Sequence, residues 1–183
     1  MRRLFERIRM NERLELFTNE HLGLTWLFQV NPDSCGNNEH YENYIKFSAL
    51  TDKRYGLGTT HALIGEEDGK LILLGFITLR SSSLIFVQDE TMHGEPALEI
   101  MELAVNQKYE HLGYGRKLVN FAIDLADNMT ENSISFKYIV LCADAQAVPF
   151  YSRCDFAKIS DYAEVPRNGA NDECVPMAIR IRE

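Results

Sequence analysis

Along the second half of the chain, Leu118, Phe121, Ala122, Leu125 and Ala126 fall at i, i+3, i+4, i+7 and i+8, the apolar stripe of a core-facing helix. Tyr138–Ala143 follows as a continuous apolar run, which predicts a buried strand. Near the end, Val175, Met177, Ile179 and Ile181 alternate with Pro176, Ala178, Arg180 and Arg182, the period of a final strand. Upstream, Thr59–Gly65 and Lys70–Arg80 read as a hairpin with Asp68-Gly69 at its turn. Leu84–Val87 adds a short strand, and Ala97–Asn106 another, apolar but carrying Glu99 and Glu102.

The first third is less regular. A short strand is expected at Leu14–Thr18, and His21–Val30 is apolar without clean periodicity. Asn31-Pro-Asp-Ser-Cys-Gly36 is a loop on its turn chemistry. From Asn38 to Tyr55 the pattern suits a helix, with Tyr41, Tyr44, Ile45 and Ala49 on one side and Gly56 as its stop. A shorter helix is expected around Gln146–Cys154, carrying Phe150 and Tyr151. The order β-α-α-β-β-β-α-β-α-β implies an α/β fold of the mixed-sheet (α+β) kind. Its centre is a mostly antiparallel twisted sheet of about six to seven strands, flanked by helices.

Composition narrows the possibilities. The 183 residues suit a single domain over 1–183, and 45% of them are hydrophobic, the proportion of an ordinary globular protein. No apolar run approaches the length of a membrane span, and the basic start lacks the apolar core of a signal peptide. A cytoplasmic protein with no membrane partner is therefore expected. Cys35, Cys142, Cys154 and Cys174 show no C-x-x-C pair and no histidine at ligand spacing. They read as buried or idle thiols, with neither a disulfide framework nor a metal. The net charge of −8 disfavours phosphate backbones and favours cationic amines as partners. Residues 1–13 run against this, with Arg2, Arg3, Arg7, Arg9 and Arg13 against Glu6 and Glu12. They form a possible basic extension, either solvated or in contact with phosphate or RNA.

The chemistry concentrates between Pro96 and Lys117. A buried strand enters a tight turn containing Gly113 and Gly115, and the amphipathic helix leaves it. Unpaired amides at such a helix start, with the helix dipole behind them, make an anion site that suits a diphosphate. Arg116 and Lys117 lie in the first turn, where an anionic ligand would turn their unfavourable position to advantage.

This stretch resembles the coenzyme A motif of the GNAT acetyltransferases, [RQ]-x-x-G-x-[GA], which here spans Glu110 to Gly115. Farther on, Cys142-Ala-Asp-Ala-Gln-Ala-Val-Pro-Phe-Tyr-Ser-Arg-Cys-Asp-Phe156 resembles the family's later strand–helix segment, often A-x-x-F-Y-x-x-x-G-F. Order and spacing agree, and the resemblance covers Pro96 to about Ile181. Three positions depart from it: Glu110 replaces arginine or glutamine, Cys154-Asp155 replaces a small residue and glycine, and Pro149 precedes Phe150.

The resemblance implies a GNAT-like fold and an N-acetyltransferase that uses acetyl-CoA as cosubstrate and needs no metal. The acceptor would be a primary amine of a small molecule or protein, and a homodimer is common in this fold. Leu103, Ala104, Val105, His111, Leu112, Gly113, Tyr114, Gly115, Arg116 and Phe150 would bind the coenzyme, with the Val105 amide facing the acyl oxygen. Tyr151 matches the family's acid, unless it is only aromatic packing. A primary amine is about one part in 10³ neutral at pH 7, so a base is needed. Glu99 matches the position of a basic glutamate, with Glu102 on the opposite face under regular pairing; a structural Glu99 and a water chain remain alternatives. Two other readings stay open: a toxin-type member that acetylates aminoacyl-tRNA, and a non-catalytic module that senses acyl-CoA.

Overall fold

A computed structural model of the chain describes residues 11–88, 91–159, 163–164 and 174–182. The arginines at 2, 3, 7 and 9 lie outside the described residues, so the extension over 1–13 is described only at its end.

Among the described residues, eight strands form one mixed sheet. They are β1 (Arg13–Leu16), β2 (Thr59–Glu67), β3 (Lys70–Gln88), β4 (Thr91–Val105), β5 (Tyr138–Ala143), β6 (Ala157–Lys158), β7 (Ala163–Glu164) and β8 (Val175–Arg180). The order across the sheet is β1-β2-β3-β4-β5-β8-β6, and β7 pairs with β3 off that path. Every neighbouring pair is antiparallel except β4–β5, which the crossover helix α4 (Tyr114–Asn132) joins in parallel. This is the expected fold class.

The short helix α1 (Leu22–Thr25) precedes the 38–55 region. That region starts and stops where the sequence places it. Asn37 caps α2 (Asn38–Asn43) by accepting from the His40 amide, and Gly56 closes α3 (Ala49–Tyr55) with a positive φ of 70°. Between them Tyr44–Ser48 winds as a π-turn, which apolar spacing alone does not announce. At the β2–β3 turn, Asp68 and Gly69 have φ of 50° and 74°, the two positive values of a type I′ hairpin.

The two larger cores lie on opposite faces of the sheet. Leu118, Val119, Ala122 and Ala126 of α4 pack on Leu63, Leu74, Ile77 and Ile139. On the other face, Phe17, Phe28, Tyr44, Ile45 and Ala49 cover Ala62, Ile64, Leu73 and Phe76. Contact between α4 and the sheet is tight enough to require a glycine. A Cβ at Gly75 would lie 2.8 Å from the Ala104 carbonyl oxygen and 3.1 Å from Leu118 Cδ1.

Two bulges, one at Leu63/Ile64 in the β2–β3 ladder and one at Thr78/Leu79 in the β3–β4 ladder, set which side chains face which core. In the β3–β4 ladder Thr78 pairs with Glu102 but Leu79 pairs with Ile100, so Met101 is the extra residue. Thr78 and Arg80 share a face, and their partners Glu102 and Glu99 therefore share it too. The expectation that the two glutamates point to opposite faces is corrected, because it assumed regular pairing.

The thiol reading is corrected as well. Cys142 and Cys174 form a disulfide, with Cα atoms 5.4 Å apart. The register explains it. Cys142 is opposite Pro176 and Ala143 opposite Val175, which brings Cys174 to the end of β5. Cys35 and Cys154 are free and buried, as expected.

Candidate functional site

Strands β4 and β5 run side by side only from Ala97–Tyr138 to Ile100–Leu141. Beyond that pair β4 continues to Val105 and β5 to Ala143 without pairing with each other, and a cleft of about 490 Å³ opens between them. Its size is that of a small-molecule site. The Asn106 amide donates 2.8 Å to the Leu74 carbonyl, so it faces β3. Antiparallel alternation then turns the Leu103 and Val105 amides the other way, toward the cleft.

At the end of β4 the chain makes a 3₁₀ turn (Gln107–Tyr109) and reaches the helix start through two left-handed residues, His111 at φ 61° and Gly113 at 95°. Such a path aims the first amides of α4 outward, where the helix itself offers them no acceptor. Gly115 permits close approach of the opposite wall, since a Cβ there would lie 3.1 Å from the Phe150 ring. That wall is the 3₁₀ turn Ala145–Ala147 followed by α5 (Val148–Ser152), with Pro149 in its first turn. Asp155 takes a positive φ of 68°, the backbone shape for which glycine is the easy choice.

Of the residues expected at the site, Leu103, Ala104, Val105, His111, Gly113, Tyr114, Gly115, Arg116, Phe150 and Tyr151 all line the cleft. Leu112 does not; it is exposed. Glu99 does not either. It is buried and accepts two hydrogen bonds from Arg80, from Nε at 2.9 Å and Nη2 at 2.8 Å. The geometry is that of a structural ion pair. Glu99→Gln is expected to cost about 1–3 kcal/mol by leaving Arg80 poorly satisfied. It should leave the turnover number unchanged, and a slowed but undestabilised variant would contradict this role.

Tyr151 is buried between Phe150 and Phe156, with ring centroids at 4.9 and 5.8 Å, and its face borders the cleft. Burial, followed by the nearby Asp144 carboxylate, pushes its phenol above the ordinary tyrosine range. Tyr114, at the helix start, is pushed up to about 12, chiefly by burial.

Charge around the anion end differs from the sequence expectation. Lys117 is paired with Glu12, so of the two expected cations only Arg116 lines the cleft, and nearby Lys108 is paired with Glu67. Arg153, which the sequence reading did not single out, joins it there, and the Arg116 guanidinium donates to the Arg153 carbonyl. Asn31 holds the Glu110 carboxylate at 2.9 Å.

The remaining wall comes from segments outside the motif. Val30, Asp33, Ser34, Cys35 and Tyr41 close one side, and Asp144 stands at the end of β5. The Tyr41 hydroxyl donates to Asp144 at 3.0 Å, spanning 103 residues of sequence. Beside Tyr41, His40 Nε2 meets Glu102 Oε1 at 2.9 Å. No cluster of metal-ligating side chains occurs among the described residues.

Comparison with known proteins bears on the family and the fold. The model of the acetyltransferase (GNAT) family matches residues 23–156. No curated protein sequence matches the chain. Among solved structures, a bacterial toxin superposes with a TM-score of 0.72 at 20% identity, covering 93% of this chain and 90% of the other. A point mutant of the AtaT toxin gives 0.71 at 14% identity, covering 93% and 89%. AtaT complexed with acetyl-methionyl-tRNAfMet gives 0.67 at 15% identity, covering 91% and 94%.

Proposed function

Because the chain belongs to the acetyltransferase (GNAT) family, we propose that it is an N-acetyltransferase that takes its acetyl group from acetyl-CoA and delivers it to a primary amine. The observation that carries this reading is the continuity of the opening between β4 and β5 with the glycine turn at the start of α4. An amide-bearing arm fits the first, and a diphosphate fits the second. A structure of the AtaT toxin and antitoxin bound with acetyl-CoA, at a TM-score of 0.66 and 16% identity, supports the same donor.

Acetyl-CoA supplies an acetyl thioester, and the chain's residues do the rest. Amides from His111 to Arg116 take the pyrophosphate, with Arg116 and Arg153 adding charge. Val105, nearer the turn, pairs with the pantetheine arm, Ala104 and Phe150 bound it, and the Leu103 N–H, farther along β4, rather than that of Val105, donates to the acyl oxygen. Tyr151 keeps its proton at neutral pH and gives it to the departing sulfur, whose thiol pKa of about 8.5 demands only modest help. Glu99 has no part in the chemistry.

Acetyl-CoA at about 100 times its dissociation constant should stabilise the protein by about 2.7 kcal/mol. For a domain of this size that is a rise in melting temperature of about 5–11 °C. Adenine nucleotides that lack the pantetheine arm should give much less. Equal shifts with and without the arm, or no shift at all, would remove the donor assignment.

A toxin-type reading has its own support, since the structural neighbours include AtaT with an acetylated methionyl-tRNA. Against it stands the net charge of −8, because a tRNA-binding surface must neutralise phosphates. Growth arrest on expression, relieved by Tyr151→Phe, would move the acceptor to tRNA. Normal growth of expressing cells would leave it with cationic amines.

A further inference from the structure

Within the acetyl-transfer reading, on which this rests, we propose that His40 is the general base that relieves the acceptor ammonium of its proton, with Glu102 as its positioning residue. Two glutamates on β4 had suggested themselves for that role. The bulge at Met101 brings both to one face, and their partners separate them: Glu99 is taken by Arg80, whereas Glu102 meets His40 of α2 at 2.9 Å.

The pair is built as a base and its orienter. Glu102 is almost wholly covered, whereas the His40 side chain is 48% exposed. With Glu102 ionised, Nε2 carries the ring hydrogen, which leaves the Nδ1 lone pair as the basic site. The backbone of His40 is fixed in turn, since its amide donates to Asn37 Oδ1 at 3.1 Å.

Location ties the pair to the cleft. Neither side chain lines the cleft itself; Tyr41, next to His40, lines it and donates to Asp144, whose carboxylate also acts on His40. The groups facing His40 are Glu102 from β4, Asp144 from the end of β5, and the rings of Tyr41 and Tyr44, at 5.3 and 6.3 Å. All the ionised ones are anionic, and Glu102 also feels Asp52 of α3. The Glu102 hydrogen bond raises the His40 pKa, which brings its basicity closer to that of an amine.

The step balances simply. The ammonium N–H proton passes to Nδ1, directly or through one water. The freed nitrogen lone pair forms the new C–N bond, the C–S bond breaks, Tyr151 protonates the sulfur, and the second N–H proton shed as the amide forms passes through water back to the Tyr151 oxygen. The imidazolium then returns its proton to solvent.

Thiol release is measured from pH 6 to 10 with spermidine, a lysine-bearing peptide and methionyl-tRNA as probe amines, for the wild type, H40Q and Glu102→Gln. Wild-type kcat/KM should rise with pH through the raised His40 value. H40Q should lose about 10²-fold at pH 7, recover as pH approaches that of the free amine, and keep its acetyl-CoA thermal shift intact. Imidazole should restore part of the rate to His40→Ala, and Glu102→Gln should move the limb of the profile to lower pH. Turnover by H40Q at the wild-type rate and profile overturns the base assignment alone. Absence of wild-type turnover with all three amines overturns the acetyltransferase reading, and His40 falls with it.

Discussion

Tyr151→Phe is expected to lower the turnover number by about 10²- to 10⁴-fold, the range a placed acid or base contributes. The ring survives the exchange, so its packing against Phe150 and Phe156 and the wall it builds beside the cleft survive with it. Only the hydroxyl goes. Since burial and the Asp144 charge raise the phenol pKa, that hydroxyl stays a donor throughout the neutral range. Its removal should therefore slow the reaction evenly across pH 6–9 rather than shift the profile. Acetyl-CoA should stabilise the variant as it does the wild type. A variant that turns over at full rate with saturating substrates would reduce Tyr151 to packing.

The largest effect on stability is expected from the Cys142–Cys174 bond, which closes a loop 32 residues long. Chain entropy assigns about 3–4 kcal/mol to a closure of that length. Cys174→Ser should then lower the melting temperature by about 6–16 °C. Reductant should do the same to the wild type and nothing further to the variant. If reductant leaves the wild type unmoved, the two sulfurs are not joined in solution. Activity should respond as well, because Cys142 borders the cleft and β8 backs the strand that carries it.

Sequence reading succeeded where a periodic pattern is answered by one partner. The stripe of α4 meets one sheet face, and the run Tyr138–Ala143 is buried on both. It found the glycine turn because only particular residues permit that backbone. It failed where the deciding fact is a cross-chain partner. Ser81-Ser82-Ser83 and His93-Gly94-Glu95-Pro96 look like loops, yet both lie in the long β3–β4 ladder, the first opposite Pro96-Ala97-Leu98 and the second opposite Ser83-Leu84-Ile85-Phe86. Nothing near Glu99 in sequence predicts Arg80, and nothing near Glu102 predicts His40. One extra residue in a ladder decided both, and a bulge leaves no hydrophobic signature. The cysteine argument failed for a related reason. A domain of this size does not need a disulfide, but β8 lies against β5 and brings two thiols together regardless.

The parting of β4 from β5 has one more consequence. A strand whose inward amides lack a neighbour is an edge, although it lies in the middle of a sheet. Extended peptides add to such edges by the same main-chain hydrogen bonds that an amide-bearing arm would use. A short strand-like peptide should therefore compete with the donor for Leu103 and Val105 without resembling a nucleotide. Inhibitors of this site can be designed as missing strands rather than as coenzyme mimics.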